Sequence, residues 1–155
     1  MKITVIGCGR WGSFLAWYLD RIGHEVTLYG RGGSKHLAQF RAVRSNGMVT
    51  LSGRIALTSD LKAGVASAET LVISVGTQGF RALMQQIAGL GLSGRTAVLC
   101  MKGLEASTGM RLTQILTARV RKSSSALSPR FPAGLSVFTT ATICSATKSG
   151  PPQRM

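Results

Sequence analysis

Residues 1–31 read MKITVIGCGRWGSFLAWYLDRIGHEVTLYGR. Lys2–Ile6 (KITVI) is a short apolar run rich in β-branched residues, which predicts a buried parallel strand. It leads directly into Gly7-Cys8-Gly9-Arg10-Trp11-Gly12, a G-x-G-x-x-G turn. Phe14, Leu15, Tyr18, Leu19 and Ile22 then recur at helical spacing, and Gly23 stands where a helix C-cap glycine belongs. Glu25–Tyr29 (EVTLY) follows as a second strand, completing a β-α-β unit.

In that context each glycine has a physical task. Gly7 permits the tight turn out of the strand, Gly9 lets backbone approach a pyrophosphate, and Gly12 lets helix and strand pack closely. The amide groups at the helix start, with the helix dipole behind them, favour a phosphate. Glycine-rich turns are common, and the motif alone is weak. The strand before it, the helix after it and the second strand at the right distance together predict dinucleotide binding rather than a purely structural turn. Cys8 within the turn reads either as an oxidisable thiol or as a small filler.

The tip of the second strand bears on which dinucleotide is bound. A carboxylate there would take the ribose 2′-OH, and a basic residue accommodates a 2′-phosphate. The chain has Gly30-Arg31-Gly32-Gly33-Ser34-Lys35 and no acid. Arg31 therefore favours NADP(H), with NAD(H) as the alternative and Lys35 as a candidate helper. The plain structural reading of Arg31 is a solvated loop charge.

Further along, residues 36–43 predict a helix and Ser45-Asn46-Gly47 a turn. Residues 48–57 contain two strand-like runs, MVTL and RIAL, which suit a hairpin or an irregular excursion. Ser59 or Asp60 can cap a short helix reaching Ala68. Residues 71–75 (LVISV) form a second fully apolar strand ending in Gly76-Thr77-Gln78, at the sheet edge where ligands bind. Thr77 and Gln78 either touch a cofactor there or cap the next helix, 80–90. Residues 96–101 (TAVLCM) form a third buried strand, followed by Lys102-Gly103-Leu104-Glu105. An ammonium leaving the carboxyl end of a central strand suits a phosphorylated or carboxylated substrate; the alternative is a surface lysine. Residues 110–120 predict a last helix.

Composition bounds the class. At 155 residues the chain reads as one domain, long enough for a real core. The formal charge of +14 is unevenly placed. Twelve of the nineteen basic residues and all five acids lie in the first 105 residues; the last fifty hold seven basic residues, no acid and all four prolines. Cys8, Cys100 and Cys144 form no C-x-x-C and no disulfide framework. No signal peptide or membrane-length apolar stretch is visible, so a reducing cytoplasm is expected. No metal-ligand pattern stands out.

GCGRWG after KITVI, HEVTLYGR at the second strand, LVISVGTQ, and a strand followed by MKGLE-x-x-TG together resemble the N-terminal domain of bacterial NAD(P)-dependent glycerol-3-phosphate dehydrogenase. The resemblance covers about residues 1–118, and the G-x-G-x-W-G and K-G-L-E runs are its discriminating parts. It implies an α/β fold, a Rossmann-like parallel sheet with flanking helices, with strands near 2–6, 25–29, 55–58, 71–75 and 96–101. It implies cofactor contacts from Gly7, Gly9, Arg10, Trp11, Gly12, Arg31, Thr77 and Lys102, with Lys102 also touching a small phosphorylated substrate. Arg10 replaces the family's usual Ser, and would either crowd the pyrophosphate or add charge to it. Gly76-Thr77 replaces the usual Pro-Ser. The reaction implied is interconversion of sn-glycerol 3-phosphate and dihydroxyacetone phosphate, in phospholipid precursor supply. The family's homodimer is a further implication. Its helical substrate domain, with the catalytic lysine, has no recognisable counterpart in this sequence, so no catalytic residue is assigned.

Residues 119–155 are basic, rich in Ser, Thr and Pro, and without helical period. They read as an out-of-frame or truncated end, as a disordered tail contacting RNA or membrane phosphates, or as an unrecognised sheet edge, with a strand possible over 135–144. No aromatic interleaving points to specific nucleic-acid recognition. Two functional alternatives accompany the dehydrogenase reading. One is a non-catalytic nucleotide-binding module with a basic tail. The other is a ketopantoate-reductase-like dehydrogenase, against which the Lys102–Glu105 run argues.

Overall fold

A computed structural model describes residues 1–90, 92, 95–123 and 136–139, with 119–123 and 136–139 described by backbone only. The elements are β1 (Lys2–Ile6), α1 (Arg10–Arg21), β2 (Glu25–Tyr29), α2 (Lys35–Val43), β3 (Ala56–Thr58), α3 (Leu61–Ala66), β4 (Thr70–Ile73), a 3-10 turn (Thr77–Gly79), α4 (Phe80–Ala88), β5 (Thr96–Leu99), α5 (Leu112–Ser123) and β6 (Ser136–Thr139). Every pairing between these strands is parallel, and the strand order is β3-β2-β1-β4-β5-β6. The chain starts mid-sheet, grows outward to β3, then restarts on the other side of β1. At such a switch point the loops after β1 and β4 part and leave a crevice at the carboxyl edge.

Side chains alternate between two buried layers, as strands covered on both faces require. Ile3 and Val5 of β1, Val26 and Leu28 of β2 and Val72 of β4 face the layer closed by Ala16 of α1 and Leu37 and Phe40 of α2. Ile6, Leu71, Ile73 and Leu99 face the opposite layer, closed by Val65 of α3, by Phe80, Met84 and Ile87 of α4, and by Ile115 and Leu116 of α5. Polar groups caught in these layers are paired. The Thr4 hydroxyl donates to the Gly64 carbonyl at 2.7 Å. Asp20 on α1 accepts from the Arg54 guanidinium and, at 2.8 Å, from the Ser52 hydroxyl. Among the described residues no buried side-chain nitrogen or oxygen lacks a partner, as stability demands.

The strand and helix ends differ from the sequence expectation in explicable ways. β4 ends at Ile73 rather than Val75. Ser74 still donates to the Ile6 carbonyl at 2.8 Å, but the Gly7 turn then crosses over it: a Cβ on Gly7 would lie 2.1 Å from the Ser74 oxygen. β5 likewise stops at Leu99, with one further ladder bond from the Cys100 amide to the Ile73 carbonyl. Residues 48–57 make the irregular excursion rather than a hairpin. Asn46 Oδ1 accepts from the amides of both Met48 and Val49 at 3.0 Å, leaving a single antiparallel bridge, Ser45 to Thr50. Ile55 stays outside β3 because its carbonyl takes the Arg44 guanidinium at 2.7 Å.

Asp60 caps α3 by accepting from the Ala63 amide, and the helix ends at Ala66. α4 ends at Ala88, two residues earlier than expected, with Gly89 as its C-cap. α5 starts two residues later than expected, because residues 105–111 close a loop of their own: the Glu105 amide donates to the Met110 carbonyl at 3.0 Å. Gln114 then caps the helix, accepting from the Arg111 amide at 2.9 Å. α5 reaches Ser123, so residues 119–123 are helical rather than tail. Within the strand expected over 135–144, Ser136–Thr139 is a strand parallel to β5, the arrangement of the sheet-edge reading. The rest of the tail, 124–135 and 140–155, lies outside the described residues. No helix among the described residues is long and apolar enough to cross a membrane.

Candidate functional site

The glycine turn after β1 is fixed by backbone contact. Gly7 has φ +118°, a region that disfavours any side chain. Its amide donates to the Tyr29 carbonyl at 3.0 Å, tying the turn to β2. A Cβ on Gly12 would lie 1.8 Å from the Gly7 carbonyl oxygen, so Gly12 is what lets α1 pack onto the turn. Gly9 is different: a Cβ there would meet nothing within 4 Å. Packing among the described residues does not require this glycine. At Gly9 α1 begins with no side-chain cap and no acid in its first turn, so its positive end is unopposed by any carboxylate of that turn.

Gly7 and Gly9 border a cleft of about 520 Å³ that runs to Arg31 and Ser34 on one side and to Ser74 and Val75 on the other. Tyr29, at its wall, has its phenol pushed above the ordinary value by burial, with the Arg31 charge opposing the shift. Cys8 is the filler rather than a presented thiol. It is buried, its sulfur lies 3.3 Å from the Ser34 hydroxyl, and a Cβ on Gly30 would come within 2.5 Å of it. Ser34 caps α2, accepting from the Leu37 amide. The cleft thus has a glycine floor, an uncapped helix start and a cation at one end, which suits a nucleotide with a pyrophosphate.

The remaining expected site residues fall outside the cleft's lining. Arg10 is exposed, and its guanidinium is engaged by the Met48 sulfur at 3.0 Å. Trp11 is exposed on the same helical turn, stacked on Phe14 with ring centroids 5.5 Å apart. Thr77 neither caps α4 nor lines the cleft. Its hydroxyl donates to the Lys102 carbonyl at 2.9 Å, and Gly103, at φ +119°, packs against it. Gln78 bridges the same two loops, donating to the Leu104 carbonyl and accepting from the Ala106 amide. Thr77 and Lys102 are therefore brought together through backbone, and the Lys102 side chain is exposed. Lys35 is not among the lining residues, whereas Ser34 and His36 on either side of it are.

Two features were not read from sequence. His36 lines the cleft because it lies in the first turn of α2, and the Ser34 cap was the signal that places that turn. Glu105, quoted above only as part of a motif, is buried and holds Arg81 of α4 through two 2.6 Å hydrogen bonds; it also accepts from the Thr108 hydroxyl. Its task is to anchor the loop that carries Lys102.

Comparison with known proteins agrees with this geometry. Residues 2–129 match the family model for the NAD-dependent glycerol-3-phosphate dehydrogenase N-terminus, beyond the residue-118 limit set by motifs. The chain is 38% identical over 117 residues to an NAD(P)+ glycerol-3-phosphate dehydrogenase of Bradyrhizobium sp. (strain BTAi1), covering 74% of this chain and 35% of that protein. It is 31% identical over 119 residues to the enzyme of Thermoanaerobacter sp. (strain X514), covering 75% and 36%. The chain thus spans about a third of the length of these curated relatives. Among solved structures, glycerol-3-phosphate dehydrogenase of Coxiella burnetii superposes with a TM-score of 0.70 at 17% identity, covering 90% of this chain and 54% of that one. GDP-mannose dehydrogenase of Pseudomonas aeruginosa gives 0.68 at 19% identity, covering 90% and 35%. At such identities the structures share the fold.

Proposed function

The chain belongs to the NAD-dependent glycerol-3-phosphate dehydrogenase N-terminus family, and on that premise we propose that it carries the cofactor domain of an sn-glycerol-3-phosphate dehydrogenase, extending past the residue-118 limit through α5. The observation that carries the reading is Gly9. It lines the cleft, a Cβ there would meet no protein atom within 4 Å, and it opens an uncapped helix. A glycine that packing does not require, placed where a pyrophosphate would lie, is explained by the ligand.

Gly7, Gly9 and Gly12 form the cradle, and Arg31 takes the 2′-phosphate of NADP(H), favoured over NAD(H). Arg10, Trp11 and Thr77 complete the cofactor set by the family resemblance. Lys102 is the residue offered to cofactor and to the phosphate of the substrate. Its loop is held by Thr77, Gln78 and Glu105, which keeps a cation near the crevice without a large ordering cost on binding. The nicotinamide cofactor supplies a hydride acceptor or donor for interconversion of sn-glycerol 3-phosphate and dihydroxyacetone phosphate. The described residues bind and orient, and none of them is assigned as the acid or base. The family match favours this reading over a ketopantoate-reductase-like one.

Titration of the chain with NADPH and NADH tests the proposal. Saturable binding of both, tighter for NADPH and levelled by Arg31→Met, is the expected result. Binding of neither would overturn it.

A further inference from the structure

The cleft has a second potential cation beside Arg31. His36, in the first turn of α2, lines the same cleft, and Ser34 between them caps that helix. Among the described residues neither the Arg31 guanidinium nor the His36 imidazole makes a hydrogen bond or ion pair within the protein. Several other arginines are committed: Arg44 to the Ile55 carbonyl, Arg54 to Asp20, Arg81 to Glu105. Among the described residues lining the cleft there is no acidic side chain.

We propose that His36 is a specificity residue for the 2′-phosphate, and that it makes discrimination between NADPH and NADH depend on pH. The inference rests on the cofactor reading above and adds a residue and a regulation to it. A histidine gains its charge between about pH 8 and pH 5, whereas an arginine is charged throughout. A phosphomonoester keeps most of its second negative charge until about pH 6. Between about pH 8 and pH 6.5, acidification thus adds a cation to this end of the cleft while the phosphate stays largely dianionic. NADH carries no group there to respond.

The other titratable or charged groups facing His36 are few. Arg31, Tyr29 and Cys8 line the cleft with it, Lys35 precedes it on α2, and Asp60, at the start of α3, acts on Tyr29 together with Arg31. The Tyr29 phenol is pushed further from neutrality by burial, so it stays uncharged across this range. Arginine and lysine side chains carry their charge throughout this range.

The test is calorimetric titration of the full chain with NADPH and with NADH, at about pH 8 and about pH 6.5, for the wild type and His36→Gln. The expected result is a rise in the NADPH-to-NADH affinity ratio of about threefold on acidification, the scale of one exposed ion pair. In His36→Gln that rise disappears. An equal ratio at both pH values, or a rise that persists in His36→Gln, overturns the inference while leaving the cofactor site standing. Failure of both nucleotides to bind the wild type removes the cofactor reading, and this inference with it.

Discussion

Two loops leave the same edge of the sheet, and they are built on opposite plans. The loop after β5, residues 100–111, is tied down by neighbouring side chains. Its carboxylate, Glu105, is satisfied by Arg81 and Thr108, and its backbone is bridged to Thr77 and Gln78. The turn after β1 is tight where backbone meets backbone, at Gly7 and Gly12, and open at Gly9. It has no side-chain cap. A loop whose polar groups are met by its protein neighbours is built as a support; a turn that leaves a helix start uncapped beside a cleft has the form of a receptor. The difference separates residues that hold the fold from residues that the proposed function assigns to a ligand, although both groups carry family motifs.

The sharpest way to break that contrast is Gly12→Ala. Its methyl would stand 1.8 Å from the Gly7 oxygen, a backbone clash that no rotamer change relieves. The expected loss is about 3 kcal/mol of stability by urea unfolding; a change under about 1 kcal/mol would mean that the turn is not tightly packed. Glu105→Ala is next. It strips Arg81 and Thr108 of their acceptor and should cost about 2 kcal/mol, while NADPH affinity falls less than about threefold. A larger loss of affinity than of stability would make Glu105 part of the receptor after all.

A smaller effect tests a region outside both loops. Hydrogen bonding from Arg54 holds the Asp20 carboxyl below its ordinary value, against burial. A depressed folded-state value means that this contribution is complete above the unfolded carboxylate value, near pH 4. It is lost as pH falls through the folded value. Arg54→Met should therefore flatten the acid limb of a stability–pH curve below about pH 4 without altering nucleotide affinity. An unchanged acid limb would place the acid sensitivity elsewhere.

How much of this was legible in the sequence follows the same division. The β1–α1–β2 unit could be read because its signals are contiguous: a β-branched run, three glycines at fixed spacing and a helical period. Arg31 was legible as the residue at a strand tip. His36 was not. Charge alone points to Lys35 as the helper, but successive helix residues point about 100° apart, and one step decides which of them meets the cleft. The roles of Glu105 and Thr77 were hidden because their partners, Arg81 and the Lys102 carbonyl, lie 24 and 25 residues away in the chain. Pairing at that distance leaves no local pattern. The early ends of β4 and β5 were hidden for a related reason. LVISV is apolar throughout, and only the crossing of the Gly7 turn ends the strand before Val75.

The central claim is that the Gly9 opening exists for a dinucleotide, and Gly9→Ala tests it most directly. Gly9 has φ −71° and ψ −176°, which alanine adopts freely, and a Cβ there would touch no protein atom within 4 Å. Calorimetric titration with NADPH, paired with urea unfolding, should show the wild type binding saturably. The variant should lose at least about tenfold in affinity with its stability unchanged within about 1 kcal/mol. Equal NADPH affinity in the two proteins would contradict the account, because the open space would then have no ligand to explain it.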